Sequence, residues 1–379
     1  MPMTDNQRET LRLWRENGEN FTDTANQLGK TRQSVQGAVK AGLKWEAMTD
    51  GQAEAIDKVG LGIEEVDGGW RIIETKREDG TVVRDSVRWS VKGRDNVDPV
   101  SLADMIRDAL VDIAPAIPMP APAGVSSNLC AVFPVADLHM GLLTDEEEVG
   151  VDWDTKTAMR VFEDTFGKLV ARTPSADTAI LAQLGDLTHN DDQRNVTPQS
   201  GHQLDVDSRY FMIVRRAVAV MKWAIDTLRQ RYGKVIYRGC RGNHDMTTHI
   251  AVTIALAEHY RDVPEVEIVD SASEFYVHQF GTNMFVFHHG DKAKPERLLP
   301  FVANEYAPMW GATKHRVTFS GHVHHEWVKE MAGMCFRSVG TIIPRDVHAF
   351  SNAYGSNRCL LSLTYDHDAG EIATARVNL

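Results

Sequence analysis

The sequence predicts an α/β domain preceded by a small helical domain, and three observations predict it. From about Leu129 onward short β-rich runs recur, several of them leading into polar clusters: "CAVFPVADLH", "TAILAQLGDLTHND", "KVIYRGCRGNHD", "MFVFHHGD" and "RVTFSGHVHH". Helical segments lie between these runs, for example Asp205 to Tyr232, with apolar and basic residues at helical spacing. Ahead of them "IAPAIPMPAPAGVSSN" marks off an N-terminal part of different texture. Strand, polar loop and helix in alternation describe a largely parallel sheet, whose chemistry sits in the loops at the carboxyl ends of the strands.

A chain of 379 residues exceeds one ordinary core and is expected to form two or three domains. Its 42% hydrophobic and 25% charged residues are the composition of a soluble globular protein. No apolar run approaches a membrane span, so no membrane partner is expected. The polar, acidic start "MPMTDNQRET" does not resemble a signal peptide, and the expected location is cytoplasmic. Cys130, Cys240, Cys335 and Cys359 are scattered without a CxxC pair, which argues for a reducing compartment and against a Cys-based zinc site. A net charge of −12 argues against a surface that coats nucleic acid throughout, though not against a local basic element.

Residues 1–48 read as short helices. "NQRETLRLWRENG" carries Leu11, Leu13 and Trp14 as an apolar stripe and stops at Gly18. Thr22 or Asp23 is expected to cap a second helix, Gly29 to make the turn, and Thr31 to cap a third helix with Val35, Ala38 and Val39 inside. Two short helices joined by a Gly turn form the helix-turn-helix pattern. No acid interrupts Lys30 to Lys44, and Arg32, Gln33, Gln36 and Lys40 supply the donors that phosphates and base edges accept. DNA is therefore the expected partner of this domain. The bland reading is a helical protein-interaction module.

Residues 49–112 contain a hairpin, "GWRIIETKREDGTVVRDSVRWSVKG", turning at Asp79-Gly80, and a short helix over roughly 99–112. This segment serves as a wing or a connector. Residues 113–128 are expected to be a semi-rigid extended linker, and 129–379 the α/β domain.

Taken singly, each polar cluster is as well explained by a cap, a turn or a hydrogen-bonded histidine. Together they lie on one expected sheet edge and supply only imidazole, carboxylate and amide groups, a set suited to Mn²⁺, Zn²⁺, Fe or Ni²⁺. His322 and His324 are two apart and project to one face of an extended segment, while His325 points away.

D-x-H, G-D, G-N-H-D, H-G and G-H-x-H, in that order after strands, resemble the calcineurin-like metallophosphoesterases over roughly residues 129–350. The resemblance implies a two-sheet α/β sandwich with two divalent metals at its edge. It implies Asp137, His139 and His324 at the first metal, Asp186 bridging, and Asn243, His322 and one of His288 or His289 at the second. His289, directly before Gly290, matches the family's H-G element. It implies that His244 protonates the leaving group while a water acidified by the metals attacks phosphorus, with Asp245 or another carboxylate orienting His244.

Departures are visible. The usual G-D-x-x-D reads Gly185-Asp186-Leu187-Thr188-His189, and the D-R-G of protein phosphatases is missing, which weighs against a phosphoprotein substrate. The polar stretch that follows is long for a compact domain. His189, Asn190, Arg194, Thr197, Ser200, His202 and Arg209 are candidate substrate contacts, and "PRDVHAFSNAYGSNR" a candidate rim. The combination is similar to phage and prophage phosphoesterases, which implies a bacterial host cytoplasm. The expected function is a metal-dependent phosphodiesterase acting on DNA, similar to the nuclease subunits of break-repair complexes. The alternative keeps the enzyme and makes nucleotides or another small phosphoester the substrate. A third reading is a non-catalytic DNA-binding regulator.

Overall fold

Sheet parity organises the second half of the chain, as a computed structural model shows. The structure describes residues 5–18, 20–39, 68–76, 82–90, 115–271, 273–355 and 357–379. Two compact units are present, Met1–Pro99 and Val100–Leu379.

In the first unit α1 (Asp5–Glu16), α2 (Phe21–Leu28) and α3 (residues 32–39) enclose a small core of Leu11, Trp14, Ala25, Val35 and Val39. The cap of α2 is Asn20, not Thr22 or Asp23: its Oδ1 accepts from the amides of both. Asparagine sits one residue before the helix and reaches two orphan donors, which neither later residue can do. Gly29 closes α2 at φ 62°, and Thr31 Oγ1 accepts from Ser34 N at 3.2 Å, both as expected. Arg32, Gln33 and Gln36 are exposed on α3, whereas Lys40 lies outside the described residues. β1 (Gly68–Lys76) and β2 (Val82–Ser90) pair antiparallel. The Asp79-Gly80 turn and the helix expected at 99–112 lie outside the described residues.

The second unit holds the expected two-sheet α/β sandwich. One sheet has the order β13-β12-β3-β4-β5-β6, built from β3 (Leu129–Val135), β4 (Thr178–Gln183), β5 (Lys234–Gly239), β6 (Val266–Ile268), β12 (Cys359–Asp366) and β13 (Gly370–Asn378). β3 to β6 run parallel. The other has the order β10-β11-β9-β8-β7, built from β7 (Tyr276–Phe280), β8 (Asn283–Phe287), β9 (His315–Ser320), β10 (Trp327–Met331) and β11 (Met334–Ser338). α4 (Glu146–Val149), α5 (Thr155–Arg172), α6 (Tyr210–Arg229), α7 (Thr248–Tyr260), α8 (Pro295–Glu305), α9 (Ala307–Ala312) and α10 (Val347–Ser351) complete it.

Alternate residues of each strand serve different cores. Ala131, Phe133 and Val135 of β3 and Ala179 and Leu181 of β4 join Phe162, Phe166, Val220 and Leu256 of α5, α6 and α7. Their neighbours Cys130, Val132, Ile180 and Ala182 face Phe285, Phe287 and Phe319 of the second sheet. Met284 and Val286 point outward to Leu298 and Val302 of α8. Four layers result, helix–sheet–sheet–helix. Burying each inter-sheet phenylalanine contributes about 1.5–3 kcal/mol.

Register sets the functional edge. Val135, Gln183 and Gly239 are level across β3, β4 and β5, and Phe287 is level with Phe319 across β8 and β9. Within each sheet the polar clusters therefore begin at matched heights. The presumed linker differs from expectation within residues 115–128. It is pinned along the domain by Ala116 N to His259 O (3.0 Å), Arg229 Nη2 to Ile117 O (2.6 Å) and Met119 N to Glu265 Oε1 (2.8 Å). Proline-rich chain leaves backbone groups that pair with a neighbouring surface as well as with water. Among the described residues no helix is long and apolar enough to cross a membrane.

Candidate metal centre

The ends of β3, β4 and β9 turn at once into strained loops. Among the described residues eight non-glycines have positive φ, and five of them are Asp137, His139, Asp186, His322 and His324. Such conformations cost on the order of 1–3 kcal/mol each and persist where a site over-determines them. Close approach has its own demand: a Cβ on Gly242 would lie 2.0 Å from Asp186 Oδ1 and 2.7 Å from Asp245 Oδ1. Glycine at this point of G-N-H-D lets the β5 loop close on the β4 loop.

The loops interlock through their own backbones. Asp137 N donates to Gly185 O (3.2 Å), His139 N to Asp186 O (3.0 Å) and Gly321 N to His289 O (2.8 Å). The Asp137 carboxylate accepts from His322 N at 2.9 Å, and Thr341 Oγ1 donates to Asp137 O at 2.7 Å. His244 N donates to Asp186 Oδ1 at 2.8 Å.

Besides a cluster of His139, His189 and His244, two donor groups contain the expected ligands. In the first, Asp137, His139 and His324 bring ligand atoms within 4.8 Å of one another, and His139 Nε2 is 3.2 Å from His324 Nε2. In the second, Asp186, His289 and His322 do the same. Asn243 Oδ1 adjoins the second at 3.0 Å from His289 Nε2. Asp186 Oδ2 lies 3.2 Å from His289 Nε2 and 3.8 Å from His139 Nε2, so one carboxylate faces both groups. Nitrogen and oxygen donors without thiolate fit a pair of first-row divalent ions about 3.5–4 Å apart.

Electrostatics point the same way. His139 is driven well below the usual imidazole range, His324 to about 4 and His189 to about 3, in each case chiefly by burial. All three favour the neutral form at pH 7, which the two ligand candidates among them, His139 and His324, require. Burial, reinforced by Asp186, lifts Asp137 to about 8 against the pull of His289. Burial opposes charge on His289, yet Asp186 and Asp137 outweigh it and raise the imidazole to about 10. A proton on His289 thus balances the carboxylates that a bound cation would balance.

A pH dependence follows. Asp137 is protonated in the native state across a range where the unfolded chain has ionised it, so this group's contribution to stability falls as pH rises from about 4 to 8, while the lowered His139, His189 and His324 act in the opposite sense below the ordinary imidazole range. A cation that replaces these protons removes the penalty. We expect added Mn²⁺ to raise the melting temperature of chelator-stripped protein more at pH 8 than at pH 5. Equal rises at both values, measured by calorimetry, would contradict this placement.

The structure brings Asp137, His139, Asp186, Asn243, His289, His322 and His324 together at this edge. His288 turns the other way, its ring 5.7 Å from Phe275. His325 is exposed and bonds Val323 O. His244 lies beside the cluster, its ring 4.6 Å from that of His139.

Three expectations need correction. Asp245 does not orient His244: fully buried, its carboxylate accepts from the amides of Gly242 (2.9 Å), Leu187 (2.7 Å) and Asp186 (3.2 Å). Burial of the carboxylate is balanced there by three donors, which a solvent-facing role would forfeit. The partner of His244 Nδ1 is the backbone carbonyl of His189, at 2.7 Å. Asn190 is fully buried and ties its own loop, to Asp192 O and Asn195 Oδ1, so it is unsuited to meet substrate. Thr197 likewise closes a turn with Ser200 Oγ (2.6 Å) and His202 N (2.9 Å).

His189 is buried with Nδ1 3.1 Å from His139 Nδ1. Arg194 is held by Asp192, and His202 and Arg209 are exposed. Sequence reasoning missed Thr341, which carries no motif.

No family model matches the sequence, and no curated protein matches it. Solved structures of similar trace include a predicted phosphoesterase from Streptococcus pneumoniae (13% identity, 66% of this chain and 98% of that chain, TM-score 0.28). They include Yfce, a phosphoesterase from E. coli (12% identity, 65% and 98%, TM-score 0.30), and zinc-complexed Vps29 from Entamoeba histolytica (14% identity, 65% and 98%, TM-score 0.27). The side chains at the sheet edge, rather than this likeness, bear on function.

Proposed function

We propose that this chain is a dinuclear-metal phosphodiesterase acting on DNA. One observation carries the enzymatic reading: two donor groups share the Asp186 carboxylate, and the ring of His244 stands beside them. Asp137, His139 and His324 would hold one ion, and Asn243, His289 and His322 the other. When bound, such ions supply an acidified water and neutralise charge on the phosphoryl group.

The remaining steps belong to this chain's residues. A carbonyl only accepts, so His244 Nδ1 carries a hydrogen toward His189 O; in the imidazolium form a second proton sits on Nε2, and giving it to the departing alkoxide would leave the ring neutral. Asp245 and Thr341 keep the metal-bearing loops in register. DNA as substrate is supported by the exposed Arg32, Gln33 and Gln36 on α3 of the N-terminal unit. A tethered DNA-binding unit raises the local substrate concentration. A small phosphoester substrate is the second reading, favoured by the net charge of −12.

Digestion of end-labelled single- and double-stranded DNA with added Mn²⁺ separates the two. Cleavage by the wild-type chain, lost in Asp186→Asn and His244→Ala, is expected. Metal-loaded protein that hydrolyses bis(p-nitrophenyl) phosphate yet leaves DNA intact would overturn the DNA reading and favour nucleotides.

A further inference from the structure

We propose that Asp191 is a positioning residue that holds His244 in place by clasping the β4 loop to the first turn of α7. The inference rests on His244 as leaving-group acid in the reading above.

Besides the bond from His244 N to Asp186, the β4 and β5 loops meet at two further points beside His244. At the first, His189 O accepts from His244 Nδ1 at 2.7 Å. At the second, two residues further on, the Asp191 carboxylate accepts from Thr247 N on both oxygens at 2.9 Å, from Thr248 N at 2.7 Å and from Thr248 Oγ1 at 2.8 Å. Thr248 Oγ1 also meets Tyr210 Oη, the first residue of α6, at 2.5 Å. Three segments thus meet around Thr248 Oγ1.

The origin of this cap is informative. α7 has 13 residues, and its cap position, Thr247, makes no side-chain cap bond. A helix needs some acceptor for its first amides, and a local Ser, Thr or Asp usually supplies it. Here the acceptor comes from 56 residues upstream, on the strand-end loop that also presents His189 O. A local cap would stabilise α7 equally well without fixing the distance between His189 O and His244. With the clasp in place, His244 has its amide on Asp186, its Nδ1 on His189 and its following turn on Asp191, so its ring has little freedom.

A displaced acid matters only when the leaving group needs a proton. The test compares the phenyl and p-nitrophenyl esters of thymidine 5'-monophosphate, which differ only in leaving-group basicity. For Asp191→Ala we expect kcat on the phenyl ester to fall on the order of 10–10²-fold, the scale of a small misplacement. On the p-nitrophenyl ester it should fall about threefold or less, with KM and bound metal unchanged. Asp191→Asn, whose amide oxygen still accepts from Thr248, should recover most of the loss. In a His244→Ala background, Asp191→Ala should cost nothing further.

Equal losses on both esters, or a further tenfold loss without His244, would reduce Asp191 to a purely structural cap and overturn the proposal. His244→Ala that showed no preference between the esters would remove the acid role itself, a failure distinguishable from that of Asp191 alone.

Discussion

Asp186→Asn is expected to lose both metals and, with them, turnover by roughly 10³-fold or more, well beyond the ~10–100-fold typical of changes outside the ligand shell. The substitution keeps the side chain's shape and an oxygen for the His244 amide, which Asp186 Oδ1 accepts at 2.8 Å. It removes the charge that faces His289 Nε2 at 3.2 Å and His139 Nε2 at 3.8 Å. An amide has one acceptor oxygen and no charge, so it cannot serve two cations. Metal content by elemental analysis, with activity on the same preparation, decides. Two ions per chain and ordinary turnover would rule out a shared bridge.

His244→Ala is expected to behave differently. Turnover of diesters with basic leaving groups should fall by about 10²–10⁴-fold, the usual worth of general acid catalysis. Metal content should stay near that of the wild type, because the seven proposed ligands do not include it. Its ring adjoins His139 at 4.6 Å and stacks on His189 at 5.4 Å, so the variant leaves a small gap beside the centre without removing a donor. Activated p-nitrophenyl esters should be spared most of the loss. Loss of metal on this substitution would instead make His244 a ligand, a role its position beside His139 and His189 allows.

Much of the architecture was legible because strand-like apolar runs and polar clusters alternate in a fixed order. The five clusters that follow β3, β4, β5, β8 and β9 share one edge, and the strand ends are level within each sheet. The three-helix core around Leu11, Trp14 and Val35 was legible from helical spacing. The cap of α2 was misplaced by two or three residues, since Asn20, Thr22 and Asp23 all carry cap-forming side chains and only geometry separates them. The stretch at 115–128 reads as a spacer by composition, yet its backbone is paired to Glu265, His259 and Arg229 far along the chain.

The sequence by itself determined the donor types, their order and their attachment to strand ends, because those follow from local apolar runs and short spacings. Tertiary structure decided which donors meet. Only the two-sheet packing turns His289 toward Asp186 while His288 faces Phe275. Only the loop crossing gives Asp245 to the amides of Asp186 and Leu187, His244 to the carbonyl of His189, and Thr247 and Thr248 to Asp191. These are contacts between residues distant in sequence, and a hydrogen bond of under 3 Å depends on where two backbones are brought together, not on which residue types they carry.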